Sequence, residues 1–316
     1  MAILITDIGA LDSTGVWGRD MSVNAAKYGI LVGVDGSAES DAAIRWAADE
    51  AVMRGLPVTL MHVVTPILVS WPLGPALANI TEWQEDNARR VIAHAQKTLD
   101  ASVSDTELPE VRGEVRYAGS VGDLVDATKD AWMVVVGNSD LGAVGRAVLG
   151  SVSGGLVHHA HCPVTVVHET DTDLSERTSP VLLGIDGSPA SEAATALAFD
   201  EASRRGVDLV ALHAWSDVGV FPILGMDWRK YEDRGHEELA ERLAGWQERF
   251  PDVHVRRRLV CDQPARWLID ESREAQLVVV GSRGRGGYTG LLLGSVSSAV
   301  ARAAKAPVIV VRGESD

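Results

Sequence analysis

Short apolar runs recur along the chain, and stretches with helical spacing lie between them. Ile30–Val34 and Val181–Ile185 are continuous apolar runs of strand length, as expected of strands buried on both faces. Val58–Val63, Leu209–Ala214, Met133–Val136, Leu277–Val280, Val164–Val167 and Val308–Val311 are further segments of strand length. After the first run, Ile44, Ala47, Ala48, Ala51 and Val52 fall on one helical face. Ser37 and Ser188 stand where an N-cap belongs, and Pro189 suits a first helical position. Arg54-Gly55 and Arg205-Gly206 supply a cationic last turn and a glycine stop. Strands alternating with helices predict a parallel, doubly wound α/β sheet covered on both faces.

The pattern occurs twice. Residues 30–64 align without a gap to 181–215 with 15 of 35 pairs identical, and 131–168 align to 275–312 with 16 of 38 identical. The offset falls from 151 to 144 between the two blocks, so the first copy carries seven extra residues in its middle. A period of this length is a duplicated domain rather than a solenoid repeat. The predicted organisation is an N-terminal extension over 1–28, a first domain over 29–168, a polar linker over 169–179 and a second domain over 180–312. Each domain is expected to be a five-stranded, flavodoxin/Rossmann-like unit. In such sheets ligands bind at the carboxyl ends of the strands, near the point where strand order reverses.

Composition narrows the partners. The chain of 316 residues carries 29 basic and 44 acidic residues, a net charge of −15. That argues against nucleic acid and anionic membranes, which need a basic face. It does not argue against a mononucleotide, which a few local dipoles can hold. No apolar run reaches membrane-spanning length. Cys162 and Cys261 occupy non-matching positions of the two copies, so no disulfide framework is expected, in keeping with a reducing cytoplasm. Residues 1–28 lack a basic region and a long apolar core, so no secretory signal is expected, and Met21 is a candidate start.

The second copy reads VVVGSRGRGGYTGLLLGSVSS after its fourth strand. Gly281 and Gly284 let a backbone come close to a ligand. Gly294-Ser295 lies at the expected start of the next helix, where unpaired N–H groups, the helix dipole and the Ser295 hydroxyl favour a phosphate. Arg283 and Arg285 add positive charge. There is no Gly-Lys-Ser/Thr loop, and Thr289 breaks the dinucleotide G-x-G-x-x-G frame.

The spacing Gly281-x2-Gly284-x9-Gly294-Ser295 resembles the ATP-binding signature of universal stress proteins. So do the GVDGS and GIDGS turns and the positions of His62 and His213. The resemblance spans residues 30–312 and implies ATP as the ligand. It implies Asp186 near the ribose or a bound metal. Gly184, Ile185, Ala214 and Val280 would line the adenine, and Gly281, Gly284, Gly294, Ser295 and Ser297 would hold ribose and phosphates. The first-copy counterparts are Gly33, Val34, Asp35, Val63, Val136, Gly137, Gly150, Ser151 and Ser153. A tight turn without a ligand and a capping aspartate are the alternatives these residues leave open.

The first copy departs from the signature. Asp140 stands at the second glycine position, which adds a side chain and a negative charge where a phosphate would lie. Such a like-charge contact costs on the order of 1–3 kcal/mol, or a roughly ten- to hundredfold loss of affinity. A strong second site and an impaired first site are therefore expected. A bridging metal or a loop shifted onto Gly142 would rescue the first.

His158, His159, His161, Cys162 and His168 are of metal-ligand type, but Pro163 and the following strand break their spacing, and no metal site is expected. The apolar stretches 64–83 and 215–231 read as long loops, either lids, contact surfaces or packing. No catalytic nucleophile–base constellation is legible. Aspartates at strand ends could hold Mg2+ beside a phosphate. The family resemblance also implies pairing of the last strands, Pro163–Val167 with Pro307–Val311, and a homodimer. The reading is an ATP-binding stress-response regulator acting on an unidentified protein partner. A nucleotide-independent interaction protein and a slow ATPase are the alternatives.

Overall fold

The computed structural model describes residues 27–65, 74–103, 110–117, 120–138, 149–168, 178–214, 228–284 and 293–313. The first copy runs β1 (Ile30–Gly33), α1 (Ala38–Arg54), β2 (Val58–Val64), α2 (Gly74–Ser102), β3 (Val111–Tyr117), α3 (Ser120–Ala127), β4 (Met133–Asn138), α4 (Ser151–His159) and β5 (Val164–His168). The second repeats it as β6 (Val181–Gly184), α5 (Pro189–Arg205), β7 (Leu209–Ala214), α6 (Trp228–Arg249), β8 (Val255–Val260), α7 (Pro264–Glu271), β9 (Leu277–Gly281), α8 (Ser295–Ala303) and β10 (Val308–Val311). The expected α/β architecture with two parallel halves is present.

Among the described residues the ten strands form one sheet in the order β3-β2-β1-β4-β5-β10-β9-β6-β7-β8. Pairing is parallel within each half. The halves meet through β5 and β10, which pair antiparallel with Val166 opposite Val308 and Val164 opposite Val310. The expected contact of the two last strands thus closes within one chain. It removes two apolar edges, which would otherwise present unpaired backbone groups. The remaining edges, β3 and β8, are polar: β8 exposes Arg256, Arg257 and Arg258 in succession.

The sheet has a buried layer on each face. One is shared by α1, α2, α5 and α6 and includes Ile44, Leu99, Phe199 and Leu243. The other is shared by α3, α4, α7 and α8 and includes Leu124, Leu156, Leu268 and Val300. Both layers run across the two copies, so the halves share a core. The serines begin the helices as predicted. Ser37 accepts from the Ser40 amide and Ser188 from the Ser191 amide, while Gly55 and Gly206 close the helices in the left-handed conformation. Ile44, Ala47, Ala48 and Ala51 are fully buried, whereas Val52 is only partly covered.

The stretches expected as long loops are shorter than predicted. Residues 74–83 are the opening turns of α2 and 228–231 those of α6. Propensity explains this: past Gly74-Pro75 the sequence ALANITEWQED contains no further breaker, and Pro is tolerated in a first helical turn. Trp71, Pro72, Trp215, Phe221 and Pro222 lie outside the described residues. Among the described residues no helix is long and apolar enough to cross a membrane.

Candidate functional site

β1 pairs with both β2 and β4, and β6 with both β7 and β9. These are the two points where strand order reverses, so a crevice opens beyond the carboxyl end of each first strand. In the second copy Ile185 continues β6 through its N–H to the Leu212 carbonyl. Its own carbonyl lies 2.7 Å from Nδ1 of His213, a buried ring at the end of β7. His62 holds the Val34 carbonyl in the same way at 2.7 Å. The two histidines singled out by the repeat therefore fix the backbone at the mouth of each crevice.

Asp186 and Ser188 build the next turn. Asp186 Oδ1 accepts from the Ser188 amide at 2.9 Å, and the Asp186 amide donates to Ser191 Oγ at 3.0 Å. Asp186 is thus a turn aspartate as well as a candidate ligand residue. Ser188 does two jobs: besides capping α5, its hydroxyl donates to the Arg283 carbonyl at 2.9 Å. That bond ties the first turn of the second copy to its glycine loop. Ser37 instead spends its hydroxyl on Asp35 Oδ1 at 2.6 Å. Ser188→Ala should therefore cost about 1–2 kcal/mol and Ser37→Ala about 1 kcal/mol or less, measured by urea denaturation.

The loop after β9 closes over this turn. A Cβ at Gly281 would lie 2.7–2.9 Å from the backbone of Ala190 and Ser191, so this glycine serves the close approach of α5 to the sheet. A Cβ at Gly284 would overlap Oδ2 of Asp186. Gly294 caps α8, and its amide donates to the Ser282 carbonyl at 2.8 Å. Ser297 is buried and donates to the Gly281 carbonyl at 2.5 Å. Ser295, at the first turn of α8, is exposed. The second copy thus brings Ile185, Asp186, Gly281, Gly284, Gly294, Ser295 and Ser297 around one opening. Gly184 and Val280 lie behind it, 3.2 Å apart at the Gly184 Cβ position, and Ala214 ends β7 beside it.

The first copy places Gly33, Val34, Asp35, Val63, Val136, Gly137, Gly150, Ser151 and Ser153 at the matching ends of β1, β2, β4 and α4. Asp140 and Gly142 lie outside the described residues, as does Arg285 in the second copy. One difference was not read from the sequence. Asn138, where the second copy has Ser282, is buried, and its Oδ1 accepts from the Gly150 amide and the Ser153 hydroxyl, each at 3.0 Å. Its Nδ2 lies 3.4 Å from Nε2 of buried His168. A side-chain amide thus holds the α4 cap, where in the second copy backbone carbonyls hold α8. The signal was the mismatch of Asn138 with Ser282 and of His168 with Arg312 in the aligned copies.

Among the described residues no group of three or more His, Cys, Asp or Glu is placed to hold a metal ion. Burial pushes the Cys162 thiol well above its ordinary range. A cavity of 410 Å3 between Pro180, Val210, Arg256 and Glu274 opens at the amino ends of the strands, away from both glycine loops.

Known proteins agree with this architecture. The universal stress protein family matches residues 29–168 and again 178–312. A universal stress protein of Mycolicibacterium smegmatis is 59% identical over 292 residues, covering 92% of this chain and 99% of its own. Universal stress proteins Rv2005c and Rv2623 of Mycobacterium tuberculosis are 52% and 50% identical over 293 residues, each covering 92% of this chain and 99% of its own. The crystal structure of a universal stress protein from Archaeoglobus fulgidus superposes with a TM-score of 0.67 at 20% identity, over 90% of this chain and 98% of that one, a likeness of fold. A duplicated domain matched twice by one family, with relatives aligned over nearly all of their own length, makes this chain a member of the universal stress protein family.

Proposed function

We propose that the chain is a cytoplasmic stress-response regulator that binds ATP in the crevice of its second copy. Occupancy would alter the surface offered to a protein partner or to a second copy of the chain. The observation that carries this reading is the closure of Gly284 onto Asp186, locked by the Ser188–Arg283 bond. It gathers a carboxylate, a glycine loop and the first turn of α8 within one opening. In this reading Gly184, Ile185, Ala214 and Val280 contact the base. Asp186 takes the ribose or a Mg2+ ion, and Gly281, Gly284, Gly294, Ser295 and Ser297 take ribose and phosphates. The first copy binds more weakly, because Asp140 replaces the loop glycine.

Isothermal titration with Mg·ATP tests the reading. One tight site per chain is expected, with a second at least tenfold weaker. Two equal tight sites would remove the asymmetry, and no binding would remove the nucleotide role. Phosphate release followed in the same sample separates a regulator, which holds ATP unchanged, from a slow ATPase.

A further inference from the structure

The turn between β6 and α5 carries a cation where the corresponding turn of the first copy meets an apolar side chain. Gly187 adopts φ +77°, and a Cβ there would coincide with the guanidinium of Arg242, which reaches over from α6. At the matching turn Gly36, with φ +84°, faces the methyl of Val91 at 3.6 Å from its Cβ position. Gly36 and Gly187 align at the repeat offset of 151, and Val91 and Arg242 are the side chains that face these two glycines. The fold is the same at both places, so the backbone does not require an arginine there.

Arg242 is incompletely used by the protein. Its Nη1 lies 3.6 Å from Glu192 Oε1, an ion-pair distance beyond hydrogen-bonding reach, with side chains 29% and 40% exposed. Its Nε is buried and has no hydrogen-bond partner. A buried guanidinium N–H without an acceptor costs free energy unless something supplies one. Val91 shows that an apolar side chain packs the same position. Arg242 therefore brings a planar, multi-donor cation to the residue next to Asp186, without evident benefit to packing. Planar forks of this kind suit phosphate oxygens.

We infer that Arg242 is a ligand-binding residue of the second-copy site, recognising the anionic phosphate chain of a nucleotide rather than its base. This role rests on the nucleotide reading above and adds a second source of asymmetry, independent of the glycine loop. With Arg283, it offsets the negative charge that Asp186 puts at the opening.

The test compares Arg242→Val with the wild type, using ATP and adenosine as separate probes in calorimetry. Arg242→Val installs the residue the first copy already tolerates, so folding should survive, and a thermal melt checks it. ATP affinity should fall about tenfold while adenosine affinity changes less than threefold. Glu192→Gln, which removes the ion pair but leaves the guanidinium, should keep ATP affinity within threefold. Equal losses for ATP and adenosine, no loss for ATP, or a Glu192→Gln variant as impaired as Arg242→Val would each overturn the role, the last by showing that the arginine acts through its ion pair. A wild type that binds neither probe would instead overturn the nucleotide reading itself.

Discussion

Gly284→Asp should abolish tight nucleotide binding by the second copy, lowering affinity on the order of a hundredfold, about 2.7 kcal/mol. Two costs combine. The first is steric: a Cβ at 284 overlaps Oδ2 of Asp186, so the carboxylate must swing aside or the loop withdraw from the turn it closes. The second is electrostatic: the new carboxylate faces Asp186, and like charges about 4 Å apart near a surface repel by up to about 4 kcal/mol at an effective dielectric of 20. The substitution also recreates the first-copy residue, Asp140, at its counterpart. Gly284→Ala separates the two costs, since it adds the Cβ without the charge. Calorimetric titration of both variants, with circular dichroism as a folding control, should rank them wild type, Ala, Asp. An Asp variant with wild-type affinity would show that the loop does not touch the ligand.

The parts of this fold that could be read in advance are those where burial left a one-sided residue pattern. β1, β4, β5 and their counterparts are buried on both faces and appear as short, mostly apolar runs. Their helices announce themselves through Ser37, Ser188, Gly55 and Gly206, because caps are local chemistry. The third strand of each copy left no such pattern. β3 reads VRGEVRY and β8 VRRRLV, polar because both are sheet edges, where charged side chains discourage pairing with other chains. The glycine loop was legible as a spacing, but its partner was not. That Gly284 approaches Asp186, and that Arg242 lies over Gly187, depends on which elements the fold sets side by side, and these residues are far apart in sequence. The same holds for the charges that join the two copies.

Those charges give the largest expected effect on stability. Arg54→Met should destabilise the chain by about 3–5 kcal/mol, the usual loss when one member of a buried ion pair is removed. At the ends of α1 and α5, Glu50 and Arg54 meet Glu201 and Arg205, the same two residues of the repeat related by the offset of 151. Arg54 binds Glu50 and Glu201 and reaches Asp200 at 2.6 Å. Arg205 reaches Glu50 at 2.7 Å and Glu201 at 3.0 Å. Both glutamates are fully buried, and Arg54 lies 4.1 Å from the centre of the Trp132 ring. The quartet is neutral, and each guanidinium bridges a carboxylate of both copies, so removing one leaves two buried glutamates sharing a single cation.

The loss should depend on pH, and its sign follows from Glu50. Burial and the neighbouring Glu201 charge raise its pKa to about 7, against the pull of Arg54 and Arg205. The folded chain therefore holds this proton more tightly than the unfolded chain, so its contribution is fully present near pH 4 and declines as pH rises through 7. Glu201 moves the other way: burial raises it, but Arg205 and Arg54 more than offset this and hold it below the ordinary range. Without Arg54 both carboxylates lose a compensating charge, and their ionisation becomes harder to accommodate. Arg54→Met should thus cost more at pH 8 than at pH 6 in urea titrations. Glu50→Gln, which removes the group with the raised value, should flatten the decline of wild-type stability between pH 5 and pH 7. A pH-independent loss in Arg54→Met would mean that packing against Trp132, not charge, is what the arginine contributes.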